Sequence, residues 1–331
     1  MRRARLSAPV TLTLALLAAP LGGAAQPTGK VPRIGYLCGY PCGGPRHQAF
    51  VQSLAELGYV DGRTITLVYP RLVTDLTDLD RFPEITAELI RQKVDVIFAA
   101  GDVLAARAAK QATRTIPIVM AVSGDPVKLG LIASLARPGG NLTGITYLED
   151  ELLPKQVELL KEVVPQLSRV GALVDSADPA SRQWVAQLNT AARSLGLRLD
   201  AVQVRAPTTF EHAFAGLSRG GSGALVVVSS PHLYFQRSRI AALAIQRRLV
   251  AVASFREFAE ARGLLAYGPR VQDMFRRAVS FVDRILKGAR PADLPVEQPT
   301  RFELLVNLLA ARDLGLMIPP SVLARADEVI Q

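Results

Sequence analysis

The sequence predicts an α/β protein of two doubly wound parallel-sheet lobes, joined by a hinge that the chain crosses several times. Three observations carry that expectation. Short apolar runs alternate with longer amphipathic ones, the pattern of strand–helix–strand crossover units. The alternation pauses at the turn-rich stretch Pro138-Gly139-Gly140-Asn141 and then starts again. Enough chain follows the second series to return to the first. With 331 residues, 49% of them hydrophobic, the chain is long enough for two cores.

Taken in order, residues 31–37 (VPRIGYL) read as a strand and 46–57 as a helix closing at Gly58. Residues 64–69 alternate β-branched and aromatic side chains, a second strand. Helix 78–93, the buried strand 94–100 (VDVIFAA), the Ala-rich helix 102–113 and strand 116–122 (IPIVMAV) complete the first unit. The second unit reads helix 152–164, strand 170–174, helix 180–195, strand 197–204, helix 210–217 and strand 224–229. Helix 240–248, strand 250–254 and a short helix over 255–261 follow. Beyond them lie 264–267, helix 271–287, an extended Pro-containing stretch over 291–299, a strand and helix over 302–314, and a C-terminal helix over 319–330. We expect the first lobe to span 31–147, completed by 269–295, and the second to span 148–268, completed by 296–331.

Residues 1–25 have the order of a secretory signal: a basic start (MRRAR), an apolar run from Val10 to Leu21, and small residues up to Ala25. The run is short for a bilayer span of about 20 residues. The expected location is therefore periplasmic. The net charge of +10 is dispersed among acids, with no long basic run and no aromatic-interleaved basic motif. No nucleic-acid partner is expected. Three His and two Cys argue against a zinc or iron–sulfur protein, and no cofactor or metal is expected. The chain lacks a Gly-rich dinucleotide fingerprint, a phosphate loop and a nucleophile elbow, so no catalytic residue is assigned and no enzyme is expected.

In open α/β sheets, ligands bind beyond the carboxyl ends of the strands. That rule selects Cys38, Gly101, Asp102, Val103, Ser123 and Asp125 in the first unit, and Asp175, Ser176 and Pro231 in the second. Phe255 and Tyr267, near a crossing, are candidates to pack an apolar part of the ligand. Cys38 and Cys42 enclose a CGYPC loop, which leaves a small disulfide and two thiols both open. Helix N-termini after Gly101 and Gly124 favour an anionic group, whereas Asp102, Asp125 and Asp175 favour a cationic one. A zwitterion resembling an amino acid, or an amine-bearing heterocycle, meets both demands.

The runs LAELGYVDGR (54–63), KVDVIFAAG (93–101), AAKQATRTIPIVMAVSGDPVKLGLIASLARPGGNLTG (108–144), FREFAEARGLLAYGP (255–269) and the stretch 284–330 resemble the ABC-transporter substrate-binding proteins of the tryptophan/tyrosine-binding type. The resemblance covers nearly all of the chain beyond the signal. It implies the periplasmic-binding-protein type I fold, a small-molecule ligand held between two lobes, delivery to a membrane permease, and a monomer. Three stretches depart from the family pattern: CGYPCGG after the first strand, Val174-Asp175-Ser176 in place of Trp-Asn-Pro, and Asp102-Val103 in place of Thr-Pro. All three fall on the expected cleft, so the resemblance implies the fold and leaves the ligand's identity open. Competing readings are a sensor that presents its closed form to a membrane signalling partner, and an enzyme on a related two-lobe scaffold. A sugar-repressor-like regulator needs a helix-turn-helix where this chain has its signal-like start.

Overall fold

The first series of apolar runs gives β1 Arg33–Leu37, α1 Gly44–Glu56, β2 Thr66–Val68, α2 Phe82–Arg91, β3 Val96–Ala100, α3 Val103–Ala112, β4 Ile118–Ser123 and β5 Leu142–Tyr147. These belong to a computed structural model that describes residues 30–38, 43–70, 81–101, 103–147, 149–205 and 210–331. The strands form one parallel sheet, ordered β2-β1-β3-β4-β5. Every residue of β3, β4 and β5 is buried, as a parallel sheet covered on both faces requires. Tyr36, Phe98 and Ile145 share one core with Phe50 and Leu54 of α1. Leu37, Ile97 and Met120 face the other way, onto α2 and α3.

The second series runs α4 Glu149–Val163, β6 Arg169–Asp175, α5 Ser181–Ser194, β7 Arg198–Val204, α6 Phe210–Arg219, β8 Ala224–Val227, α7 Pro231–Phe235, α8 Arg237–Gln246, β9 Val250–Ala253, α9 Arg256–Glu260 and β10 Leu265–Pro269. The chain ends through α10 Val271–Leu286, a 3-10 turn at Pro291–Asp293, β11 Phe302–Asn307, α11 Leu308–Leu314, α12 Pro320–Leu323 and β12 Glu328–Ile330. The second sheet has seven strands, ordered β12-β11-β10-β9-β8-β6-β7. Its strands pair in parallel except β10 with β11, which run antiparallel.

Helix α10 packs on the first sheet although it follows the second in sequence. Its buried residues Val271, Met274, Phe275, Ala278, Val279, Val282 and Ile285 recur at helical spacing and join the core of Tyr36 and Phe98. Strand β11 then returns to the second sheet. The chain thus passes between the sheets at 147–149, 269–271 and 297–302. At the last passage Glu297 N donates to Gly144 O at 2.9 Å, and Thr146 N to Glu297 O at 3.0 Å.

Three elements differ from the sequence expectation. Strand β5 stands just after the turn read at 138–141, over residues to which the sequence assigned no element, because Gly144 interrupts its β-branched pattern. That glycine has φ +133°, and a Cβ there would lie 2.2 Å from Met120 O, so only glycine lets β5 approach β4. The C-terminal helix is a four-residue turn followed by β12. Asp327 Oδ2 accepts from Leu304 N at 2.8 Å, and the Asp327 N–H donates to Leu304 O at 2.9 Å. Those two bonds fix the extended register. Finally, no helix begins after Gly124. Residues 125–132 form turns closed by bonds such as Leu131 N to Pro126 O at 2.8 Å. The signal-like segment, Cys42 and Asp102 lie outside the described residues.

Candidate ligand cleft between the lobes

The carboxyl ends of β3, β4 and β5 face the segment after β8 across a narrow cleft. Gly101 closes β3 at φ +75°, its N–H donating to Ala121 O at 2.8 Å. The chain thereby turns sharply into α3, whose N-terminus lies at this edge. Opposite, Ser229, Ser230 and Pro231 lead into α7, with Ser230 Oγ accepting from Leu233 N at 3.1 Å. The lobes meet so closely that the free space between them is about 10 Å³, room for about one water molecule and far below the roughly 300–1,000 Å³ of an open ligand site.

Polar contacts span the cleft. Tyr147 at the end of β5 donates through its hydroxyl to Ser229 Oγ at 2.9 Å. Burial, and then the nearby Glu149 charge, push the Tyr147 pKa well above its ordinary value, so the phenol stays protonated. Glu149 is fully buried, and its Oε1 accepts from Ser229 N at 3.1 Å. From the opposite rim, Arg46 of α1 reaches over the second lobe. Its guanidinium carbon sits 3.9 Å from the Tyr234 ring centroid, and its Nε lies 3.4 Å from Glu257 Oε1. The Tyr234 hydroxyl donates to the same oxygen at 3.2 Å, as does Gln272 Nε2 at 3.4 Å. Burial raises the Glu257 pKa, but the Arg46 charge and the hydrogen bonds outweigh it. The net value lies below the ordinary carboxylate range.

The candidates read from the sequence divide. Gly101, Ser123 and Pro231 line the cleft. Val103 is buried beside it in the core under α3, and Cys38 is buried in the core of Tyr36. Asp125 faces its own turn, with Oδ1 accepting from Val127 N at 2.9 Å and Lys128 N at 3.1 Å. Asp175 Oδ1 accepts from Ala177 N at 2.9 Å, and Ser176 is bonded to Val204 O by its N–H at 2.8 Å. Both belong to a turn beside β7. Phe255 is buried against Tyr234, ring centroids 5.3 Å apart, and so backs the cleft wall without lining it. Tyr267 stacks on Phe302 at 6.5 Å, in a separate surface groove.

Sequence reasoning did not single out Arg46, Tyr147, Tyr234, Val271 or Met274, all of which line the cleft. Tyr147 ends a strand that Gly144 hid, and Val271 and Met274 sit on a helix that the sequence assigned to no site. Arg46 follows Pro45 at the start of α1, where only tertiary packing reveals its reach. Among the described residues, no group of three or more His, Cys, Asp or Glu is placed to hold a metal ion.

Residues 45–330 match the family described as ABC transporter substrate binding protein. The chain belongs to that family. It is a substrate-binding protein with the periplasmic-binding-protein type I fold. A curated relative, the tyrosine-binding protein of Clostridioides difficile (strain R20291), is 24% identical over 261 residues, covering 78% of this chain and 73% of the relative. Among solved structures, a conserved domain protein from Vibrio cholerae superposes with a TM-score of 0.82 at 23% identity. The ABC domain from Streptococcus pneumonia in complex with L-Trp superposes at 0.80 with 24% identity. The ligand-free, open structure of a substrate-binding protein with adhesive properties from Clostridium difficile superposes at 0.66, also with 24% identity. Each alignment covers 91% of this chain and 100% of the other. No helix among the described residues is long and apolar enough to cross a membrane.

Proposed function

We propose that this protein is an extracytoplasmic receptor that closes two lobes over an amino-acid-like ligand and delivers it to an ABC importer. The observation that carries the reading is the presence of both charges at and behind one cleft wall. Arg46 and the N-terminal edge of α3 line the cleft and offer partners to a carboxylate, while the buried Glu149 and Glu257 stand behind that lining, bonded to Ser229 and Arg46, and set a negative field that favours an ammonium. Tyr147, Tyr234, Val271 and Met274 give the remaining wall an apolar and aromatic character that suits a side chain.

The arrangement of the lobes supports the same reading. Contacts from Tyr147 to Ser229 and from Arg46 to Glu257 are those of a closed cleft. Consistently, the chain superposes better on the L-Trp complex than on the open, ligand-free structure over the same share of its length. Closure would be coupled to binding because the ligand contacts both lobes only when they meet. The tyrosine- and tryptophan-associated relatives favour an aromatic amino acid among the candidates. The signal-like N-terminus supports export, after which the receptor acts as a monomer beside its permease.

The test is native mass spectrometry of protein purified without refolding, followed by calorimetric titration of the twenty amino acids and of purines, sugars and dicarboxylates. A retained mass matching an amino acid, with saturable binding of that compound, is the expected result. Binding confined to a sugar or dicarboxylate would overturn the amino-acid assignment. A retained nucleotide or a turned-over compound would overturn the receptor reading itself.

A further inference from the structure

Met274 is common to two spaces. It lines the cleft between the lobes, and it also lines a groove of about 240 Å³ at the hinge. The groove is bounded by Ile145 of β5, by Arg277 of α10, and by Gln298, Pro299 and Thr300 of the third passage between the sheets. Strand β5 connects the two spaces. Tyr147 faces the cleft, while Ile145, two residues earlier on the same face, borders the groove. A two-residue step along a strand is about 7 Å, which is the thickness of one side chain layer. Met274 fills that layer from the helix side, 2% exposed, in the core shared with Ile145 and Tyr147.

We propose that Met274 is the specificity-determining residue of the cleft, a movable partition whose rotation joins the cleft to the hinge groove and admits a large aromatic side chain. The proposal rests on the amino-acid reading above and deepens it. Methionine suits this role because it is unbranched, has three rotatable bonds and carries a polarizable sulfur that packs well against aromatic rings. Arg46 and Gln272 of α10 both reach Glu257 Oε1, so the charged end of the cleft adjoins the first turn of α10, and Val271 and Met274 are the next residues of that helix to line the cleft. With Met274 in place the closed cleft has only about 10 Å³ free, so a ligand gains room only when the lobes part or a wall side chain turns aside. With it turned aside, an indole or phenol ring extends toward Ile145 and Pro299, and the groove's open mouth leaves room for the polar edge of such a ring.

The experiment titrates L-alanine, L-leucine, L-tyrosine and L-tryptophan into the wild type and into Met274→Ala, Met274→Leu and Met274→Phe, with circular dichroism confirming that each variant is folded. Met274→Phe, which keeps the core filled, is expected to weaken tryptophan at least tenfold more than it weakens alanine. Met274→Ala is expected to raise the tryptophan-to-alanine affinity ratio by a similar factor, and Met274→Leu to lie between the wild type and Met274→Phe. If the wild type binds these amino acids and the ratio stays within threefold in both Met274→Phe and Met274→Leu, Met274 is not the partition and the amino-acid reading stands. If the wild type binds none of the four, the amino-acid reading falls and the partition with it.

Discussion

Glu257 is charged, 4% exposed, and held by three donors that all converge on Oε1, while Oε2 has no hydrogen-bond partner. Its folded pKa lies below the ordinary value of 4.5, because Arg46 and the hydrogen bonds outweigh burial. The sign follows directly: the stabilisation is fully present above the unfolded value and is lost as pH falls through the folded one. Glu257→Gln should therefore flatten the acid limb of the stability profile below about pH 4.5 and cost about 1–3 kcal/mol at neutral pH, read from urea midpoints across pH. An unchanged acid limb would remove Glu257 from the set of groups that tie α9 to the opposite lobe. Gly268 sets a harder constraint, since a Cβ there would lie 2.0 Å from Ser254 O. Gly268→Ala should destabilise by more than about 4 kcal/mol, in the range reserved for forced backbone movement, and a melting temperature within a few degrees of wild type would contradict that. At this scale the sequence was informative only where chemistry follows from position along a strand. Gly101, Ser123 and Pro231 were legible as strand-end residues. Asp125 and Asp175 looked equally suitable, but short-range capping by their own turns consumes their lone pairs. Arg46 and Tyr234 carried no local signal at all, because their contact joins residues 188 positions apart along the chain and arises only when the lobes meet.

Element existence was legible through most of the alternating series, β5 and the short α7 excepted, since strands are bounded by turn residues and the longer helices carry an apolar stripe. Helix α10 illustrates this best: its buried positions recur at helical spacing, and the expected 271–287 differs from the observed Val271–Leu286 by one residue. The misreadings have physical causes. At the C-terminus the apolar residues are too few to distinguish a short strand from a helix, and pairing with β11 decides the outcome. The antiparallel β10–β11 pair was not legible either, because direction depends on the passage through the first lobe between them. Asn307 holds the junction of β11 and α11. Its Oδ1 accepts from Ala310 N at 2.8 Å, and its Nδ2 donates to Ala259 O at 2.8 Å. Asn307→Ala should cost about 1–3 kcal/mol, more than an exposed cap, because two buried backbone groups lose their partner. Chemical denaturation checks the value. A loss under half a kilocalorie would mean that water replaces both bonds.

For the whole molecule, the lobes are held together at the rim by a few polar contacts and at the hinge by paired strands and ion pairs such as Arg270 with Glu303 at 3.0 Å. The rim contacts are the weaker set, so they decide how far the cleft opens. Substituting Arg46→Ala together with Tyr147→Phe should raise the radius of gyration measured by small-angle X-ray scattering and leave the circular dichroism spectrum unchanged. Identical scattering from the variant and the wild type would show that the rim contacts do not hold the lobes. The late position of α10 reaches beyond binding, into the order in which the protein acquires its structure. The face of the first sheet that carries Tyr36 and Phe98 is covered by α1 and α10 together, and the ribosome supplies α10 only after all of β6 to β10. Until then the part of that face under α10 stays bare, and the first lobe is incomplete. Long-range closure of this kind slows folding and lengthens exposure to aggregation. A fragment ending at residue 268 should accordingly bind hydrophobic dyes and unfold without cooperativity, and adding residues 269–300 in trans should lower the dye signal; an unchanged signal would show that α10 does not cover that surface on its own.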